Sequence, residues 1–206
     1  MTMKKEFLQG RRLVASALFV VASAVLPSLS SAQEVPVFQI TPLESTIKFA
    51  VKASVPIEGR FDQWKAALTF TSPDVTTAVF DVEIQAASVD TGSSLKNSKL
   101  KGSDFFDVDN NPLITFKSTK VVQTSPTTFE LDGNFTIRGV TKAEKLTLTV
   151  SGRGTGTGLI NGTMAFNRKD YGMNSGIPFI KIADSVSVTV LLKATRVAGP
   201  QLVYKQ

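Results

Sequence analysis

From residue 46 onward the chain alternates between apolar and polar positions. In "TIKFAVKA", Ile47, Phe49 and Val51 oppose Lys48 and Lys52; in "WKAALTF", Trp64, Ala66, Leu68 and Phe70 oppose Lys65 and Thr69. In "VFDVEIQA", Phe80, Val82, Ile84 and Ala86 oppose Asp81, Glu83 and Gln85. The pattern returns in "LITFKST" (Ile114, Phe116), "NFTIRG" (Phe135, Ile137), "KLTLTV" (Leu146, Leu148, Val150) and "SVSVTVLLKA" (Val186, Val188, Val190, Leu192). Successive side chains of a strand point to opposite faces, so each segment predicts a strand with one apolar and one wet face. With "VPVFQIT" and "LINGTMAFN" there are eight or nine such segments separated by turn signals, the pattern of an all-β sandwich or barrel.

Residues 92–106, "GSSLKNSKLKGSDFF", break the alternation. Leu95, Leu100, Phe105 and Phe106 among Ser, Lys and Asn predict a short helical insertion there. One short helix does not cover the greasy face of so long a sheet, and the economical arrangement curls the sheet onto itself. The expected fold is therefore all-β: a closed antiparallel barrel of about eight strands, whose interior is filled by side chains or holds one small ligand. Phe49, Phe70, Phe80, Phe116, Phe135 and Phe166 all fall on the apolar register, either as core packing or as the wall of a hydrocarbon site.

In "GTMAFNRKD", Gly162, Met164, Phe166, Arg168 and Asp170 share one parity. A strand running on without a bulge turns Arg168 inward with Met164 and Phe166. A guanidinium does not sit alone in an apolar interior, and Asp170 is its nearest candidate partner in sequence. The cluster is either a polar head-group site at the barrel mouth or an internal ion pair closing the barrel end. "DFFDVDNNP" spaces Asp107, Asp109 and Asn111 like a calcium loop, but Pro112 stands where glycine is required and Ser118 where glutamate is, so it reads as a turn before a strand. The glycines of "SGRGTGTG" precede a strand rather than a helix and read as a hairpin approach, with Asn161-Gly162 as a tight turn after it.

The first 32 residues have a basic start (Lys4, Lys5, Arg11, Arg12), an apolar run from Leu13 to Leu26 and small residues ending at Ala32, the build of a secretory signal peptide cleaved before Gln33. Residues 33–206 then form one domain. Of the formal net charge of +6, this segment carries +3, so the remainder is weakly basic and has no block of the kind nucleic-acid binders carry. The chain has no cysteine and no histidine, which removes thiol nucleophiles, histidine triads and the usual zinc sites. Catalysis would rest on groups such as Asp170, Tyr171 or Lys169.

The strings "ESTIKFAV", "VPIEGRF", "LKGSDFFDVDNNPLITFKST", "LDGNFTIRGVTK" and "NRKDYGM", followed by "IADSVSVTVLLKA", in that order from about Phe38 to Ala194, resemble the YceI family. The resemblance implies a lipocalin-like extended antiparallel barrel with a helical insertion, exported to the periplasm, with a channel for a polyisoprenoid, isoprenoid quinone or other long-chain lipid. It implies no catalytic activity and no cofactor beyond that ligand, and leaves room for a homodimer and for transient membrane contact. The channel would be lined by Phe49, Val51 and Phe61; Trp64, Leu68 and Phe70; Phe80, Val82 and Ile84; Leu95, Leu100, Phe105 and Phe106; Ile114 and Phe116; Phe135 and Ile137; Leu148; and Met164 and Phe166. The family's Arg-x-Asp-aromatic-Gly pattern falls on Arg168, Asp170, Tyr171 and Gly172, placing Arg168, Asp170 and Tyr171 at the channel mouth. Ala53 and Ser54 stand where many members carry a histidine. The alternatives are an enzyme acting on such a lipid and a ligand-free structural or stress-related protein.

Overall fold

The computed structural model describes residues 34–176 and 181–205, so the signal-peptide reading of residues 1–32 lies outside the described residues. The elements follow in the order β1 (Val37–Ile40), β2 (Thr46–Ala53), β3 (Ile57–Phe61), β4 (Trp64–Thr69), β5 (Val79–Gln85), β6 (Val89–Asp90), α1 (Ser94–Lys101), β7 (Leu113–Gln123), β8 (Thr128–Ile137), β9 (Val140–Val150), β10 (Thr157–Asn167) and β11 (Ile182–Ala198). The eleven strands make one sheet, and all its ladders are antiparallel.

The sheet curls into the expected barrel. β3 and β4 are two halves of one kinked strand, as are β5 and β6; Asp62 N donates to Ser88 O at 3.1 Å and Gln85 N to Gln63 O at 3.0 Å across the kink. Counted so, with β1 set aside, eight strands follow one another round the wall: β2 pairs with β3, β3 with β6, β4 with β5, and the ladders continue through β7, β8, β9 and β10 to β11, which returns to β2. β1 pairs with the last residues of β11 and packs beside β4. Phe80, Val82, Ile84, Phe135, Ile137, Leu146, Leu148 and Leu192, which the alternation predicts to point inward, are all buried.

Three local features differ from the sequence expectation. Asn161 and Gly162 are not a turn but lie inside β10, opposite Leu191 and Val190. The turn falls earlier, where Gly152, Gly154 and Gly156 take φ of 73°, 78° and 81°, a region closed to most side chains. Helix α1 spans eight residues of the fifteen expected to be helical, and Phe105 and Phe106 follow it in tight turns. A bulge between Ser118 and Lys120 shifts the register of β7 against β8, so that Val121 rather than an even-numbered residue turns inward. Ser118 Oγ, buried at the bulge, accepts from Phe80 N at 2.9 Å and so satisfies a backbone donor beyond the end of the β5–β7 ladder.

Candidate functional site

The interior holds two apolar chambers, one toward each end. The larger is walled by Leu68, Phe70, Phe80, Val121, Phe129, Leu131, Leu148 and Ile160, with about 100 Å3 open to the centres of water-sized spheres. The smaller is walled by Phe49, Val51, Phe61, Ile84, Ile114, Phe135, Ile137 and Phe166, with about 70 Å3 so open. One water needs roughly 10–15 Å3 on this measure, so each is a real void rather than a packing gap. Between them lies a waist, since the buried residues Val82, Phe116, Leu146, Met164, Val190 and Leu192 line neither chamber. Phe116 lies over Gly133, where an added Cβ would fall 2.5 Å from the ring. The bare backbone at Gly133 is what gives the ring its place.

The smaller chamber lies at the helix end of the barrel. Leu100, Phe105, Phe106 and Met173 line its floor with Arg168. The Arg138 side chain donates to the carbonyls of Gly172 and, at 2.7 Å, Ser103, tying the segment after α1 to the segment after β10. Ser175 Oγ donates to Asp104 Oδ1 at 3.0 Å across the same seam.

Arg168 points inward and is 6% exposed. Its Nε donates to Ala183 O at 3.1 Å, its Nη1 to Met173 O and, at 3.0 Å, to Ser175 O, and its Nη2 to Asp184 Oδ1 at 3.4 Å. The ion-pair partner is thus Asp184 of β11 and not Asp170. The alternation stops at Arg168 because Asn167 Oδ1 accepts from Lys169 N at 3.0 Å and caps a 3₁₀ turn over Arg168–Tyr171, which leaves Asp170 exposed outside the barrel. Tyr171 is fully buried against Phe135 and Phe166, and its hydroxyl donates to Glu144 Oε1 at 2.7 Å. Burial, then the bond to Glu144, pushes that hydroxyl far above its ordinary pKa.

The other end carries a polar rim. Arg153, Arg196, Gln201 and Thr157 line the larger chamber together with Phe38, Leu202 and Tyr204. The C-terminal residues cross this end as a strap: Val75 N donates to Val203 O at 3.0 Å, Val203 N to Pro73 O at 2.8 Å, and Lys205 N to Gln123 Oε1 at 2.8 Å. Arg153 stacks on Tyr204 with its guanidinium carbon 3.9 Å from the ring centre.

The protein is a two-chambered apolar barrel with a helical floor, and the family model for the YceI-like domain matches residues 38–194, most of the chain. The chain belongs to the YceI-like family. A UPF0312 protein of Pseudomonas savastanoi pv. phaseolicola is 29% identical over 133 residues, covering 62% of this chain and 69% of the relative. Among solved structures, Burkholderia cenocepacia BcnA superposes with a TM-score of 0.69 at 25% identity, covering 76% of this chain and all of that one. A polyisoprenoid binding domain from Saccharophagus degradans, implicated in plant cell wall breakdown, superposes with a TM-score of 0.62 at 14% identity, covering 78% and 99%, a likeness of fold.

The YceI-like barrel distributes the expected lining residues unevenly. Leu68, Phe70, Phe80 and Leu148 face the larger chamber, whereas Phe49, Val51, Phe61, Ile84, Leu100, Phe105, Phe106, Ile114, Phe135, Ile137 and Phe166 face the smaller. Val82, Phe116 and Met164 form the waist, Trp64 is half-buried in the wall, and Tyr171 packs behind the smaller chamber. Leu95 is not part of the lining, being 81% exposed, because five residues of helix set it about 140° round from Leu100. The sequence reading missed Val121, Phe129, Leu131 and the rim arginines. Three had plain signals: Phe129 and Leu131 extend the alternation of β8 upstream, and Arg196 extends that of β11 beyond Ala194.

Proposed function

We propose that this YceI-like protein is an exported binding protein that holds a polyisoprenoid, an isoprenoid quinone or another long-chain lipid in its barrel, for storage or transport. The observation that carries this is the pair of unfilled apolar chambers inside one barrel. Support comes from the fold shared with a domain that binds polyisoprenoids and from the signal-like build of residues 1–32. Binding rather than catalysis is favoured by how the inward polar groups are spent: Arg168 on carbonyls and Asp184, Tyr171 on Glu144.

The energetics suit a carrier. Burying hydrocarbon from water is worth roughly 0.8 kcal/mol per methylene, yet a lipid leaving a membrane is already out of water, so the exchange into the barrel is close to neutral. A chain long enough to fill both chambers must pass the waist, where the Phe116 ring sits over Gly133 among Val82, Leu146, Met164, Val190 and Leu192. The test is solvent extraction of the purified protein followed by mass spectrometry. A stoichiometric long-chain lipid is the expected result; a lipid chemically altered over time points to an enzyme, and an empty extract with no uptake of a lipophilic dye sinks the proposal.

A further inference from the structure

The polar head of an amphiphile in this lumen has two ends to choose between, and they differ in the donors left over. At the helix end the Arg168 guanidinium commits Nε and both terminal nitrogens to three carbonyls and Asp184. At the opposite end, Arg153 and Arg196 both line the larger chamber. Among the described residues each makes one side-chain hydrogen bond, from Nη1 to a backbone carbonyl, of Pro126 and Gly199 respectively. Neither pairs with a carboxylate among the described residues. A guanidinium carries five N–H donors in a planar fork, so among the described residues most of the donors of both side chains have no partner.

The positions of the two arginines fit a head group rather than a chance surface pair. Arg196 continues the inward register of Val190, Leu192 and Ala194 along β11, and its backbone N donates to Gly156 O at 2.7 Å, which fixes the glycine turn beside it. Arg153 stands on that turn and is steadied against the face of Tyr204, itself packed on Phe129 of the chamber wall. Two like charges at the lip of an apolar cavity repel one another, and an anion drawn between them relieves that repulsion. The fork geometry matches the paired oxygens of a carboxylate or phosphate.

We propose that this rim is a head-group site for an amphiphile with a single long chain ending in a carboxylate or a phosphate monoester, its tail lying in the larger chamber. This rests on the lipid-lumen reading and adds the class of head group and the end that receives it.

The experiment is displacement of a lipophilic fluorescent dye from the delipidated protein by dodecyl phosphate, laurate and dodecanol, in the wild type and in R153Q/R196Q, with inorganic phosphate alone as a further competitor. The two anions are expected to displace at about ten-fold lower concentration than the alcohol, an advantage that shrinks as salt is raised. R153Q/R196Q is expected to erase that advantage and leave displacement by dodecanol unchanged, with R153K/R196K retaining part of it. Equal displacement by anion and alcohol in the wild type, or an advantage that survives in R153Q/R196Q, overturns the head-group site while leaving the lumen reading intact. Displacement by inorganic phosphate alone at the concentration of dodecyl phosphate also overturns it, marking a site for a free anion. Failure of the dye to bind at all overturns the lumen reading, and the rim proposal with it.

Discussion

Arg168 and Arg196 hold equivalent places at opposite ends of the barrel. Each continues an inward apolar register, on β10 after Met164 and Phe166 and on β11 after Leu192 and Ala194. Arg168 is buried and shared among the carbonyls of Met173, Ser175 and Ala183 and the carboxylate of Asp184, whereas Arg196 is half-buried with one side-chain hydrogen bond, to Gly199 O. The difference lies in the backbone that follows. After Arg168 the chain turns at once and folds carbonyls back onto the guanidinium; at Arg196 the strand runs on, so few acceptors arrive. An inward arginine at a strand end is therefore a structural tie or an available donor according to the next few residues, not according to its own parity.

The partition that keeps the two ends distinct gives the largest test. Phe116→Ala removes a 5% exposed ring from the waist and is expected to cost about 3–5 kcal/mol in urea unfolding. It should also join the chambers, so that the chain length best retained shifts upward in a series of alkyl competitors. A cost of that size with an unchanged chain-length preference would show that the two chambers do not act as one lumen.

Arg168→Leu comes next. It removes the donor to the buried carbonyl of Met173 and to the part-buried carbonyls of Ser175 and Ala183, and among the described residues leaves Asp184 paired with Lys169 alone, at 2.9 Å, for an expected loss of about 3 kcal/mol, or about 10 °C in melting temperature for a chain of this size. Arg196→Leu is expected to stay within about 1 kcal/mol of wild type. Equal losses at the two sites would erase the contrast between them.

The contrast also marks where the sequence was legible. The two-residue period of β10 placed Met164, Phe166 and Arg168 inward because nothing interrupts that strand before Asn167. It misplaced Asp170 because a short polar side chain at Asn167 caps a turn, a signal that lay in the same string and outweighs parity. The insertion as a whole was legible from its broken alternation, but not the face of Leu95, which follows a period of 3.6 rather than 2. The bulge at Ser118–Lys120 left no mark in composition, since one extra residue in a polar-alternating strand looks like any other. The strap from Gly199 to Lys205 has only Leu202, Val203 and Tyr204 to announce it, and its place across the rim is set by partners more than 80 residues away at Gln123.

Tyr171→Phe tests the packing behind the smaller chamber at a smaller scale. It removes the hydroxyl bonded to Glu144 and keeps the ring against Phe135 and Phe166, so about 1 kcal/mol is expected below pH 9. The sign with pH is definite. The folded hydroxyl titrates above its ordinary value, so its contribution is complete below about pH 10 and declines as pH rises further, because the unfolded chain then releases the proton first. The stability difference between wild type and Tyr171→Phe should therefore be flat from pH 6 to 9 and shrink above pH 10. A difference that grows in alkali would mean that the phenol is not held protonated in the folded protein.

The smallest effect is expected at Asp104, on the seam between the segments after α1 and β10. Its carboxylate accepts from Lys99 and, at 3.0 Å, from Ser175, and these bonds, that of Lys99 first, hold its pKa below the ordinary carboxylate range. A depressed folded pKa contributes stability above about pH 4 that is lost as pH falls through the folded value. The side chain is 45% exposed, so solvent screens most of the attraction and only a shift of a degree or so in melting temperature is expected for Asp104→Asn at pH 7. Its signature is local. Hydrogen exchange at Met173 and Ser175 should quicken in Asp104→Asn at pH 7 while exchange in the glycine turn at 152–156 stays the same. As pH falls through the folded pKa of Asp104, the variant and the wild type should come to exchange alike. Quickening at both ends of the barrel would mean that the seam at Asp104 is felt along the whole wall, and the two ends would then have to be treated as one cooperative unit.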